Sequence, residues 1–86
     1  MEKVKTIATA LIAIQKRDKQ SIESVNAVLS DYASTILARQ GLSLPNRDYS
    51  LISIILESEA NTINSFAGKI GKIPYVSIKV SMIKDL

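Results

Sequence analysis

The stretch Ser65-Phe66-Ala67-Gly68-Lys69-Ile70-Gly71-Lys72-Ile73-Pro74-Tyr75-Val76-Ser77-Ile78-Lys79-Val80 decides the fold, because it reads in two ways. Gly68-Lys69-Ile70-Gly71-Lys72 has the look of a phosphate-gripping loop. A Walker loop, however, needs a glycine, four residues and then Gly-Lys-Ser/Thr, set between a strand and the helix that follows it. Neither lysine here is followed by Ser or Thr, and the glycines close a helical pattern instead of opening one. Ile63, Phe66, Ala67 and Ile70 form an apolar stripe at helical spacing. Gly71 fits the left-handed position just past a helix end, with Lys69 and Lys72 near the negative end of the dipole. Pro74 blocks continuation. Gly68 is expected to let this helix approach a neighbouring sheet. From Tyr75 to Ile83 the chain alternates, with Val76, Ile78, Val80 and Met82 on one side and Ser77, Lys79 and Ser81 on the other, as in a strand with one wet face. Lys79 and Lys84 discourage unwanted pairing at its edge.

Working backwards, Ser58-Glu59-Ala60-Asn61 offers a cap and acidic first-turn residues for that helix. Tyr49–Glu57 is strongly β-forming and apolar on both parities: Ile52, Ile54 and Leu56 on one, Leu51 and Ile55 on the other. Pro45-Asn46-Arg47-Asp48 reads as a turn. Ile36-Leu37-Ala38-Arg39-Gln40 reads as a short strand stopped or bulged by Gly41. Over residues 20–35, Ile22, Val25, Leu29 and Tyr32 or Ala33 recur at three and four residues, the mark of an amphipathic helix. Val4–Ile14 is a run of apolar and β-branched residues suited to a strand buried on both faces. Its preceding lysines imitate a secretory signal, but charge follows the run where a cleavage site would stand, and the run is too short to cross a bilayer. It is read as the first strand of a cytoplasmic protein, with no membrane partner.

The order is therefore β-α-β-β-α-β: an α+β, ferredoxin-like sandwich, with a four-stranded antiparallel sheet and two helices on one face. Eighty-six residues make one domain, 1–86. The first and third strands, the most apolar, belong at the centre. Helices cover only one face, so Ile7, Leu11, Ala13, Leu51 and Ile55 would leave a bare apolar patch of several hundred Å², which monomers seldom expose. A homo-oligomer, dimer or tetramer, is expected to cover it.

The chain has 47% apolar and 22% charged residues and a net charge of +3, with no cysteine and no histidine. That removes the usual ligands for zinc, nickel and copper and the triads built on histidine. No metal, cofactor or catalytic residue is expected. The carboxylates Asp31, Asp48, Glu57 and Glu59 show no spacing that suggests an acid/base pair. RNA readers on this topology stack bases on central-strand aromatics; here those strands offer Tyr49 alone, so no direct nucleic-acid binding is expected. Arg39 is the leading candidate ligand contact, because a guanidinium fork beside Gly41 suits a carboxylate or phosphate. Its competing role is a surface ion pair with Asp48 or Glu57. Arg47, in a loop, and Lys69 complete the candidate set for a small anionic ligand.

Ser24-Val25-Asn26, Ile36 to Gly41, and Thr62-Ile63 through Gly68-Lys69-Ile70-Gly71 with Val76 and Lys79 together resemble a family of small proteins described as regulators of the iron-only hydrogenase system. That family is distantly similar to the C-terminal domain of nickel-responsive repressors and to ACT domains. The chain departs from it at Ser43, near where family members often carry a proline. The expected function is a non-enzymatic regulatory or ligand-sensing module acting as a homo-oligomer; what the resemblance implies is its link to the iron-only hydrogenase system, not a ligand. The alternative is a structural or assembly partner in hydrogenase maturation with no small ligand. The repressors' histidine and cysteine ligands are missing, so nickel binding is not implied.

Overall fold

The computed structural model describes residues 5–84. Val4, where the sequence places the start of the first strand, lies outside the described residues. β1 (Thr6–Gln15), α1 (Lys19–Asp31), β2 (Ile36–Ser43), β3 (Tyr49–Ser58), α2 (Ala60–Gly71) and β4 (Val76–Lys84) follow one another, with a short 3₁₀ turn at Ala33–Thr35. The strands form one sheet in the order β2-β3-β1-β4, and every neighbouring pair is antiparallel. This is the ferredoxin-like arrangement, with the two most apolar strands at its centre.

Both central strands divide by parity. Ala8, Ala10, Ile12 and Ile14 of β1 and Ile52, Ile54 and Leu56 of β3 are buried. They meet Val25 and Leu29 of α1 and Ile63, Phe66 and Ile70 of α2 in one core. Phe66 is fully buried, and its ring packs edge-on against Tyr32 with centroids 5.3 Å apart. The opposite parity points away from the helices. Leu11 is 49% and Ile55 39% exposed.

Several local expectations are corrected. α1 ends at Asp31, not near residue 35. Tyr32 caps it, and the Thr35 hydroxyl donates to the Tyr32 carbonyl at 2.7 Å, tightening the chain into the 3₁₀ turn. Ser58 stays in β3, and Glu59 is the N-cap of α2. Gly71 is the last helical residue, and none of the described glycines has a positive φ. The left-handed residue after α2 is Tyr75 (φ 66°), beyond Pro74. A Cβ at Gly68 would meet nothing within 4 Å, so close helix–sheet approach does not explain that glycine. Gly68→Ala is accordingly expected to stabilise the protein by about 0.5–1 kcal/mol through lower chain entropy in the unfolded state. In a thermal melt this raises Tm by roughly 2–8 °C for a chain of this length; a lower Tm would mean that the helix needs the glycine. Nor does Gly41 stop β2. The strand runs on to Ser43, and the irregularity falls between Ile36 and Ala38, where Leu37 is the extra residue.

Candidate functional site

The helix-free face of the sheet is built from four cross-strand rows. Leu42, Leu51, Ala13 and Ser77 form the first. Gln40, Ser53, Leu11 and Lys79 form the second. Ala38, Ile55, Thr9 and Ser81 form the third, and Glu57, Ile7 and Ile83 the fourth. The large apolar members of neighbouring rows lie on the same or the adjacent strand, so the face carries one diagonal apolar band, with Glu57 and Lys79 as the charged residues of the four rows. Leu42 (59% exposed) and Ile83 (57% exposed) belong to this band and were not among the face residues read from the sequence. Ile83 shares the parity of Ser77, Lys79 and Ser81, so the same alternation could have found it. A dimple of about 140 Å³ lies over Leu11, Gln40, Leu42, Leu51 and Ser53. A shallow depression of about 360 Å³ lies beside it along β2, over Ala38, Arg39, Gln40, Ser53 and Ile55.

Arg39 sits opposite Ile54, a residue buried on the helix side of the sheet. Its side chain turns toward α1, and Nη2 donates to Asn26 Oδ1 at 2.8 Å. The expected ion pair with Asp48 or Glu57 is therefore replaced by a bond to a neutral amide. Asn26 orients the guanidinium without neutralising it and engages one of its five donors. Asn26 went unassigned in the sequence because its role depends on the bulge that turns Arg39 to the helix side.

The four candidate residues do not converge. Arg39 and Gly41 share the helix-side parity of β2, two residues apart. Lys69 Nζ stands 5.2 Å from the centroid of Tyr32, the C-cap of α1; Tyr32 is six residues, roughly 9 Å of helix, beyond Asn26. Arg47 lies in the β2–β3 loop. Its carbonyl and that of Leu44 accept from Arg17 Nη2 at 3.4 and 3.0 Å. That contact ties the loop to the β1–α1 turn, where Lys16 (φ 60°) and Arg17 (φ 45°) are both left-handed. Such backbone costs stability for residues with a Cβ. It is held by the Arg17 bonds, by Lys16 Nζ over the Tyr75 ring at 5.1 Å, and by the Gln15 amide donating to the Tyr75 carbonyl at 2.8 Å. A second hollow, of about 410 Å³, opens at this end over Asp18, Gln20, Ser21, Ser24 and the Ile73–Tyr75 segment. Asp18 fills its charge position by capping α1: the Ser21 amide donates to Asp18 Oδ2 at 3.0 Å. The Ser21 hydroxyl lies 2.7 Å from the Pro74 carbonyl. Arg39, two residues from Gly41, is the candidate cation whose head group is held by a neutral side chain, Asn26.

Residues 6–80 match the model of the TM1266-like family, which carries the provisional description of an iron-only hydrogenase system regulator. The chain belongs to that family. The structure of the uncharacterized protein TM1266 from Thermotoga maritima is similar at a TM-score of 0.88 and 25% identity, covering 93% of this chain and 99% of that one. An ACT domain protein from Streptococcus pneumoniae is similar at a TM-score of 0.53 and 16% identity, covering 94% and 91%. SnoaB, a cofactor-independent oxygenase from Streptomyces nogalater, is similar at 0.50 and 12%, covering 95% and 92%. The last two likenesses concern the fold alone, which hosts unrelated activities. None of the curated proteins matches the chain. No helix among the described residues is long and apolar enough to cross a membrane.

Proposed function

We propose that this TM1266-like chain is a non-enzymatic regulatory module of the iron-only hydrogenase system. It acts in the cytoplasm as a homo-oligomer and senses a small anionic ligand. The observation that carries this reading is the diagonal apolar band on the helix-free face. Four strands eight to ten residues long, about 4.8 Å apart and rising about 3.3 Å per residue, present roughly 500–600 Å². Two such faces together bury roughly 1,000 Å² or more, about the lower bound for a specific interface. With Glu57 and Lys79 as the charges of its four described rows, the face suits a second copy of itself, and a two-fold axis makes one patch serve both subunits.

Sensing is assigned to Arg39. Its partner Asn26 leaves the positive charge available, and a carboxylate or phosphate forms the stronger, charge-assisted bond. Lys69 and Arg47 stand apart from Arg39 and are not assigned to that site. The reading is tested by thermal shift with small carboxylates and phosphates on the wild type and on Arg39→Met. A ligand at 100 times its Kd adds about 2.7 kcal/mol, a rise of roughly 10–20 °C for a chain of this length. The expected result is such a rise in the wild type and its loss in Arg39→Met. A flat screen together with a stoichiometric protein partner on purification would instead favour an assembly role in hydrogenase maturation.

A further inference from the structure

The two edges of the sheet differ. β4 carries Lys79 and Lys84, whereas β2 carries no proline and Arg39 as its one charge. That arginine is drawn toward α1 by Asn26 and does not guard the edge. Seven of the eight residues of β2 are exposed, and after the irregularity at Leu37 the segment Ala38–Ser43 keeps an unbroken register. Such an edge is a template for another strand. Gly41 adds a second, independent observation. Its φ is not positive and a Cβ there would meet nothing within 4 Å, so nothing within one copy calls for glycine in mid-strand, where it costs stability.

The geometry points to a second copy of this chain pairing edge-to-edge through β2, antiparallel about a two-fold axis at Gln40. Residues directly opposite in an antiparallel pair share a face, so a continuous sheet requires the axis to pass at a residue. An axis at Arg39 sets like charges against each other, which is destabilising. An axis at Gln40 pairs the two Gln40 amides, sets Ala38 against the partner's Leu42, and sets Arg39 against the partner's Gly41. The missing Cβ then makes room for the partner's guanidinium. Each Arg39 comes within roughly 8 Å of its counterpart across the axis, from two residues of stagger and one strand spacing. The candidate anion site thereby gains a second cation from the other subunit. The pairing runs along the edge backbone of β2 and not over the face, although Leu42 borders both surfaces, so the edge pairing stands whether or not the faces pair.

The chain has no cysteine, so a single introduced one reports the contact. Gln40→Cys places the two Cα atoms about 5 Å apart across the axis, within disulfide reach. Faces stacked about 10 Å apart hold the same residue beyond it. Under mild oxidation Gln40→Cys is expected to become a covalent dimer, while Ser81→Cys, exposed on the other edge strand, stays largely uncrosslinked. The doubly substituted Leu11→Lys, Gln40→Cys chain cross-links equally well, which separates this pairing from that of the faces. Gly41→Arg keeps the wild-type Tm of a dilute subunit but loses one step of assembly in sedimentation. Cross-linking of Gln40→Cys no greater than that of Ser81→Cys would overturn the pairing, as would an unchanged mass for Gly41→Arg.

Discussion

Phe66→Ala is expected to cost about 3–5 kcal/mol, the largest loss from any single side chain in this core. A domain of this size has roughly 4–13 kcal/mol in total. The substitution therefore removes at least about a quarter of the stability and, at the lower end of that range, all of it. The reason is local. Phe66 is fully buried, touches the Ile-rich helix face of β1 and β3, and forms the edge-on contact with Tyr32 that joins α2 to the end of α1. Removing the ring opens a cavity between two helices and a sheet whose strands cannot collapse into it without breaking register. Urea denaturation followed by circular dichroism measures the effect. A loss under 1 kcal/mol would show that α2 is not packed as described.

Leu11→Lys is expected to leave the fold intact and reduce the assembly. Leu11 is half exposed within one copy, so a lysine there breaks no intrachain core contact. On the face it stands in the row of Gln40, Ser53 and Lys79, in the middle of the apolar band. The substitution adds a second lysine directly opposite Lys79 and would bury an unpaired charge if two faces met, a cost of several kcal/mol that such an interface cannot absorb. In sedimentation equilibrium the mass should fall by half at concentrations where the wild type is fully assembled, with the far-ultraviolet spectrum unchanged. Wild-type mass in the Leu11→Lys protein would place the interface elsewhere.

The parity of β1 and β3 carried most of what the sequence could say. Two strands apolar on both sides, flanked by two helical stripes, leave few topologies, and the sheet order follows from right-handed crossovers. What the sequence hid were events of one residue. The extra residue at Leu37 moves Arg39 to the helix side, because one inserted residue inverts every later side chain of a period-two pattern. Reading from Ile36 by simple alternation places Arg39 on the open face instead. The left-handed positions were also concealed. Glycine is the usual marker of positive φ, yet Lys16, Arg17 and Tyr75 occupy those positions while Gly71 stays helical. Contacts distant in sequence hold these three, among them Arg17 to the β2–β3 loop and Lys16 to the Tyr75 ring. No local pattern announces them. The candidate residues were chosen by type, and their separation in space is a matter of which strand, helix end or loop each one occupies.

Sedimentation equilibrium of the unmodified protein, from micromolar to millimolar concentration, tests the central claim most directly. The account predicts a discrete species of two or four chains across that range. A single chain persisting at millimolar concentration, with Leu11, Ile55 and Ile83 open to solvent, would contradict it.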